Sequence, residues 1–173
     1  IASAAYFRVA DNYYQTSNFL QNDTADKSIL KGGTGSLTFE RSTLNRKQYA
    51  NQGTFLNISL RYVNANEYTI PGSTSIDRRL EEDYHDWFQF KIAYENYYKR
   101  KGWLKLGFYF EGAASNIPFF VIYTSTVLNA PSFNPIQETK TLFLPNFHSH
   151  IFAGGGLRNV IMITSNLDLR IEG

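Results

Sequence analysis

Apolar and polar residues alternate strictly in two neighbouring runs of the chain, over residues 87–95 and 104–111. Because successive side chains of a β-strand point to opposite faces, this period of two predicts two strands, each with one apolar and one polar face. The short segment between them carries Lys99, Arg100, Lys101 and Gly102, and it predicts a turn that joins the strands into a β-hairpin. The apolar positions are Phe88, Phe90, Ile92 and Tyr94 in the first run and Leu104, Leu106, Phe108 and Phe110 in the second.

The same alternation recurs along most of the chain, and no segment has a helical period. Residues 1–32 are interpreted as an irregular N-terminal segment with one strand near residues 4–14, and residues 33–173 as a domain of antiparallel strands. The fold is therefore predicted to be all-β, with about seven to nine strands. Further strands are predicted at 35–40, 55–62, 137–144, 151–158 and 167–172, with short turns at 45–53, 98–102 and 159–166 and a long connection at 64–86.

Two environments fit the apolar faces of these strands. They form the core of a soluble sandwich or small barrel, or they face lipid on the outside of a transmembrane β-barrel, where lipid-facing and lumen-facing residues also alternate with a period of two. Tyr97, Tyr98 and Trp103 surround the basic turn, as aromatic residues do where strands leave the hydrocarbon of a membrane. Short turns at one end and long loops at the other also favour the barrel.

The barrel interpretation assigns each strand residue to a side of the wall. Charges on the polar faces alternate in sign from strand to strand, so they are expected to pair with one another. The predicted lipid-facing residues are Leu56, Ile58, Leu60, Phe88, Phe90, Ile92, Leu104, Leu106, Phe108 and Phe110. The predicted lumen-facing residues are Arg61, Lys91, Glu95, Lys105, Glu111, Asp168, Arg170 and Glu172.

Composition narrows the classes of partner. The net charge is only +2, which argues against a nucleic-acid partner, and aromatic residues make up 16% of the 173 residues, which suits strands and barrel girdles. No run reaches the roughly 18 to 20 apolar residues of a transmembrane helix. The chain lacks an initiating Met and ends inside an alternating run at 167–173, so a piece of a longer protein is expected.

The sequence gives no catalytic residue, cofactor or metal site. A G-x-S-x-G nucleophile motif is absent, and the GGTGS segment at residues 32–36 is not followed by the lysine of a phosphate-binding loop. His148 and His150 have the spacing to share one strand face, but a third metal ligand is not near them in sequence. The acidic residues at 81–83 lack the spacing of a calcium loop. They are interpreted as part of a solvated loop whose negative charge is balanced by Arg78 and Arg79.

The last third of the chain resembles a known family. An A-P-x-F-x-P segment at 130–135, a glycine-rich strand around 154–156 and an L-x-L-R-x-E strand at 167–172 are similar to the C-terminal barrel region of bacterial patatin-like phospholipases. The hairpin at 35–64 is similar to strands of the wider surface-antigen superfamily of outer-membrane assembly and secretion barrels. The resemblance covers about residues 33–173. The family pattern has an arginine where His148 stands.

The resemblance implies a transmembrane β-barrel in the outer membrane of a Gram-negative bacterium. Such a domain anchors, and helps to export or position, an N-terminal lipid acyl hydrolase whose catalytic residues are not in this sequence. The implied partners are outer-membrane lipid, further copies of the chain and other outer-membrane proteins. The alternative is a soluble all-β domain that binds a ligand or a protein without catalysis, with the same apolar residues as its core. A barrel with a serine and histidine active site is not supported by His148 and its neighbouring serines.

Overall fold

A computed structural model describes residues 1–99, 102–121, 123–134, 142–164 and 167–173; within these ranges, the side chains of residues 99, 123 and 124 are not described. The strands are β1 (Ala2–Tyr13), β2 (Asp26–Ser42), β3 (Gly53–Ile70), β4 (Glu81–Lys99), β5 (Leu104–Ser115), β6 (Ile151–Met162) and β7 (Asp168–Glu172). One helix, α1 (Tyr123–Asn129), and a 3₁₀ turn (Pro145–Phe147) lie between β5 and β6.

The described strands form one 7-stranded sheet in which every strand pairs with its neighbours in sequence, in the order β1-β2-β3-β4-β5-β6-β7. All the pairings are antiparallel. The prediction of an all-β antiparallel fold with about seven to nine strands is therefore confirmed. The sheet is not closed into a barrel, because β1 and β7 form its two edges.

The order of the strands sorts their connections onto two ends of the sheet. Residues 14–25, 71–80 and 116–150 connect strands at one end, which we call the long-loop end. Residues 43–52, 100–103 and 163–167 connect strands at the other, the short-turn end. At the short-turn end Gly53 has a φ of 104°, and a Cβ added there would lie 2.2 Å from the carbonyl oxygen of Thr43, so this turn requires glycine.

Several strands are longer than their sequence pattern predicts. The predicted strand near residues 4–14 is β1, and β2 begins at Asp26, before the expected boundary at residue 33. The predicted long connection at 64–86 is only 71–80, because β3 continues to Ile70 and β4 begins at Glu81. The outward positions in this part of β3 carry polar side chains such as Asn64 and Asn66, so the sequence has no alternation of apolar and polar residues there.

Two further predictions concern the chain between β5 and β6. The predicted strand at 137–144 lies mostly outside the described residues, since 135–141 are not described, and residues 142–144 are not in a strand. Helix α1 was not predicted, because its sequence YTSTVLN is rich in residues with weak helix propensity. Side chains support it locally: Asn129 donates to the carbonyl of Ser125 (2.9 Å), and the hydroxyl of Thr126 accepts from the amide of Phe120 (3.0 Å).

The two faces of the sheet have different surroundings. We call the face against which Ile117, Phe120 and Phe133 and the connection 43–52 pack the inner face, and the opposite one the outer face. The hydroxyl of Tyr97 on β4 lies 3.0 Å from Nη2 of Arg170 on β7, although three strand spacings of about 4.8 Å separate these strands in a flat sheet. Arg170 also donates to the carbonyl of Ala50 in the β2–β3 connection (2.9 Å). The sheet therefore curls toward its inner face.

Among the described residues, the apolar packing of the inner face lies in two clusters near its ends and around the ring of Phe133. Near the long-loop end, the segment after β5 packs on the sheet through a cluster of buried residues: Leu30, Val63, Ala65, Trp87, Ile117 and Phe120. Near the short-turn end, Ala50, Tyr97 and Val160 form a smaller cluster. In the middle, the ring of Phe133 covers Gly154, where an added Cβ would lie 2.6 Å from its Cζ. Gly154 on β6 thus leaves room for residues 130–134, the chain after α1, which we call the inserted segment.

Candidate functional site

The outer face carries most of the exposed apolar side chains of the sheet. Phe88 is 53% exposed, Leu60 44% and Leu37 62%, values far above those of a protein core. Every predicted lipid-facing residue points to this face, and none of them is buried. If the chain were a soluble all-β domain, these residues would be expected to form its core. The structure does not place them in the core of this chain.

These apolar side chains form a continuous band across the strands. Leu37, Leu60 and Phe90 stand side by side on β2, β3 and β4, and the next row is Phe39, Ile58 and Ile92. The band continues on β5 through Phe110, on β6 through Leu157 and on β7 through Ile171 and Leu169. On β4 it extends from Phe88 to Tyr98, with Asn96 as its polar member. A tilted transmembrane strand needs about 9 to 11 residues, which this length matches.

The inner face has the opposite character. Every predicted lumen-facing residue points to it, and none of them is exposed. Glu111 is 1% exposed, Glu95 4% and Lys105 5%, so these charges lie deeper than the apolar side chains of the outer face. Buried charges need partners, because removing a charge from water is costly unless it is paired and hydrogen-bonded. The pairing of the inner charges is therefore the main feature of this face.

Glu111 is the centre of the first charge group. Its carboxylate forms an ion pair with Lys91 and accepts a hydrogen bond from the hydroxyl of Tyr109. It also accepts from the backbone amide of Asn134 (3.0 Å), while Lys91 donates to the carbonyl of Ser132 (2.8 Å). The polar partners therefore tie β4 and β5 to the inserted segment after α1.

Arg158 and Glu95 form the second group. Nη1 of Arg158 on β6 lies 2.5 Å from a carboxylate oxygen of Glu95 on β4, and both side chains are almost fully buried. The guanidinium also lies over the ring of Tyr109, 4.5 Å from its centroid. Sequence reasoning named Glu95 but missed Arg158. The period of two through Gly154 and Gly156 would have placed Arg158 on the same inner face.

The third group lies at the short-turn end and involves β7. Arg170 bonds to Glu172 (3.1 Å) as well as to Tyr97 and Ala50, and Asp168 lies 4.0 Å from Arg46. The connection 43–52 is thereby held against the inner face. Arg61 on β3, the remaining predicted cation besides Lys105, donates through Nε to the hydroxyl of Thr34 (2.9 Å).

Sequence reasoning also missed a buried polar group at the long-loop end. Glu67, which is 2% exposed, lies 3.1 Å from Nε2 of His85 and accepts from the hydroxyl of Ser28 (3.2 Å) and the amide of Val121 (3.1 Å). The sequence places His85 in a loop, which is wrong, because β4 already begins at Glu81. This group ties the segment after β5 to β2, β3 and β4.

The inner face and the inserted segment line an open pocket of about 570 Å³. It has both charge signs, from Lys91, Glu95 and Glu111, and it also contains His148. Nδ1 of His148 donates to the carbonyl of Ala130 (3.0 Å), whereas His150 packs against the ring of Phe119. The two histidines therefore have different partners and lie before β6 begins, so they do not share a strand face.

Chemistry at the remaining predicted positions is limited. Among the described residues, no group of three or more histidine, cysteine or acidic side chains could hold a metal ion. The acidic residues at 81–83 begin β4, and of the two arginines near them, Arg79 pairs with Asp77 (3.0 Å). The turn residues Arg100 and Lys101 and the segment 135–141, which includes Pro135 of the A-P-x-F-x-P pattern, lie outside the described residues.

Comparisons with known proteins give no relative. No family model matches the chain, and no curated protein or solved structure matches it. Within the described ranges, the structure has no helix with the length and apolar character needed to cross a membrane.

Proposed function

We propose that this chain forms part of the wall of a transmembrane β-barrel, which holds its protein in a bacterial outer membrane. One observation carries the proposal: the outer face of the sheet presents an exposed apolar band, while the inner face behind that band holds buried charged residues such as Glu95, Glu111 and Arg158. A protein in water has the opposite arrangement. A membrane barrel has this one, because its outside contacts lipid and its inside contacts water and polar groups.

The mechanism is partition between two solvents. Where two strands pair, each satisfies the backbone amides and carbonyls of the other, so along the paired stretches the hydrocarbon meets side chains and no free backbone groups. The charged side chains lie on the inner face, away from the hydrocarbon, where they form buried ion pairs such as that of Arg158 with Glu95. Unpaired backbone groups cost several kcal/mol each in hydrocarbon, so the free edges of β1 and β7 need partners. We propose that further strands provide them and close the barrel.

The resemblance of residues 33–173 to the barrel of patatin-like phospholipases suggests what such a barrel anchors. On this basis the partner domain is a lipid acyl hydrolase that lies outside residues 1–173, and the barrel positions it at the membrane or helps to export it. Residues 1–173 contribute the anchor and not the active site in this proposal. The inner face, with its paired charges of both signs, is suited to a filled or weakly selective lumen.

Cell fractionation and gel mobility test the proposal. The protein is expressed with its natural flanking sequence, and outer membranes are analysed on cold SDS gels with and without heating. A closed barrel predicts recovery in the outer membrane and a change of mobility on heating. A monodisperse protein in the aqueous fraction without detergent would overturn the proposal and make the apolar face a contact surface of a soluble protein.

A further inference from the structure

Three basic residues share one patch of the outer face on β1 and β2. Arg8 lies directly opposite Lys31 in the β1–β2 register, and Lys27 lies opposite Asn12. Their neighbours along the strands point inward: Phe7 and Val9 pack on the inner apolar cluster, and Asp26, Ser28 and Leu30 are buried, while Ile29 separates Lys27 from Lys31 on the outer face. Because strand side chains alternate, Arg8, Lys27 and Lys31 point outward. We call these residues the cationic cluster.

The cationic cluster lacks a compensating acid. Among the described residues, none forms an ion pair with Arg8, Lys27 or Lys31. The acidic residues on the same face, Glu82 and Asp86, lie on β4, beyond β3. Like charges directly opposite each other on neighbouring strands are destabilising, as Arg8 and Lys31 are here. A bound anion removes this repulsion.

The position of the cluster indicates which anion it meets. Toward the short-turn end, the next outward residue on β1 is Tyr6, which is 72% exposed, and on β2 the outward positions are Gly33 and Gly35, followed by the apolar Leu37 and Phe39. Toward the long-loop end, the outward residues are of mixed polarity, with Asn12 and Glu82 beside Ile29 and Ile70. Tyr68 also flanks the cluster, since Nζ of Lys31 lies 4.2 Å from the centroid of its ring. Aromatic side chains followed by cations are typical of the level where lipid headgroups lie.

We propose that the cationic cluster binds the phosphate of an anionic lipid in the leaflet at the long-loop end of the sheet. This inference rests on the proposed function, because it needs the apolar band to lie in the hydrocarbon. Arg8 offers a planar fork of donors that matches phosphate oxygens, and Lys27 and Lys31 add mobile point charges. The lipid tails then lie along the apolar residues Leu37 and Phe39.

Lipid selectivity in vesicles tests the inference. The protein with its natural flanking sequence is reconstituted in phosphatidylcholine, and the motionally restricted fraction of spin-labelled phosphatidylglycerol is compared with that of spin-labelled phosphatidylcholine. The wild type is expected to prefer phosphatidylglycerol. Replacing the cluster (Arg8→Gln, Lys27→Gln and Lys31→Gln) should remove this preference, and each lost charge should lower relative binding by up to roughly five-fold at low salt.

A control variant makes the same change in charge elsewhere. Arg41→Gln, Lys47→Gln and Arg78→Gln remove exposed cations outside the cluster, and this variant should keep the preference. Equal loss in both variants, or no loss in the cluster variant, would overturn the inference. Competition by millimolar inorganic phosphate would also overturn it, because the site would then take free phosphate.

Flotation of the wild type with vesicles is measured first. Failure to float counts against the proposed function, whereas floating without lipid preference counts only against the lipid site.

Discussion

Arg158 on β6 and Glu95 on β4 form an ion pair across β5, with 2.5 Å between Nη1 and a carboxylate oxygen. Two strand spacings of about 4.8 Å each separate their backbones in a flat sheet, so the pair depends on the curl of the sheet and on long side chains. Beside the pair, Gly107 lies between Arg158 and Tyr97 in the register and leaves room for the ring of Tyr97, since an added Cβ there would lie 2.6 Å from Cδ1 of that ring. The pair therefore links β4 and β6 across β5.

Removing one partner of this pair should destabilise the fold strongly. Glu95→Gln or Arg158→Gln leaves a buried charge without its partner, and such changes cost about 3 to 5 kcal/mol. The double variant removes both charges and should lose less than the sum of the single changes. Urea unfolding in lipid vesicles measures these free energies. The exposed pair Asp77 and Arg79 is the control, and Asp77→Asn with Arg79→Gln should leave stability unchanged; additive losses at Glu95 and Arg158 would contradict the role of the pair.

The contact between Gly154 and Phe133 gives a second prediction. Gly154→Val places new atoms where the ring of Phe133 lies, since even a Cβ would come within 2.6 Å of its Cζ. Overpacking of this kind costs about 1 to 3 kcal/mol, and Phe133→Ala in the same chain should recover part of the loss. Gly35→Val is the matched control, because an added Cβ there meets no atom within 4 Å. Thermal unfolding compares the variants, and equal losses at both glycines would refute the contact.

Asp23 should make the long-loop end sensitive to acid. Its carboxylate accepts from the amide of Leu20 (2.6 Å) and the hydroxyl of Ser73 (2.8 Å), and these hydrogen bonds lower its pKa. A lowered pKa means that the stabilisation is present above the pKa of an unfolded aspartate, about 3.9, and is lost as the pH falls through the lower folded value. A carboxyl-carbon NMR titration should give a pKa below that of a free aspartate. Ser73→Ala should raise it, and an unchanged titration in that variant would contradict this bond.

A lysine in the apolar band should destabilise the protein in membranes but hardly in a soluble form. Leu60 lies between Leu37 and Phe90 in the band, so Leu60→Lys should cost about 2 to 4 kcal/mol in vesicles. Leu80→Lys is the matched control, because Leu80 is 66% exposed in the connection 71–80, outside the band. Equilibrium folding into vesicles measures both. Equal effects of the two lysines would show that the band does not meet hydrocarbon.

The two faces of the sheet follow largely from the sequence. Strict alternation along β4 and β5 placed Phe90 and Lys91 on opposite faces, because the strand period is two whatever surrounds the sheet. The same alternation does not indicate which of the two faces is buried. That depends on the segment after β5, which brings Phe120 and Phe133 onto the inner face through contacts distant in sequence.

The parts that sequence reasoning missed have particular physical causes. The outward positions near the ends of β3 and β4 are polar, as at Asn66 and Asp86, so the apolar pattern stopped before the strands did. Arg158 was overlooked because three consecutive glycines, which have no side chains, interrupt the alternation of β6 just before it. Whether the sheet closes depends on partners for its edge strands β1 and β7. The sequence of an edge strand does not indicate which strand pairs with it.

Spin-label accessibility along β4 tests the central claim most directly. The chain has no cysteine, so single cysteines at Phe88, Phe90 and Ile92 on the outer face and at Gln89 and Ala93 on the inner face can each carry one label. In vesicles, a transmembrane wall predicts that oxygen, which concentrates in hydrocarbon, reaches the outer labels best. A water-soluble nickel chelate should reach the inner labels better than the outer ones. Outer labels that meet the nickel chelate as freely as a label at Leu80 would contradict the account.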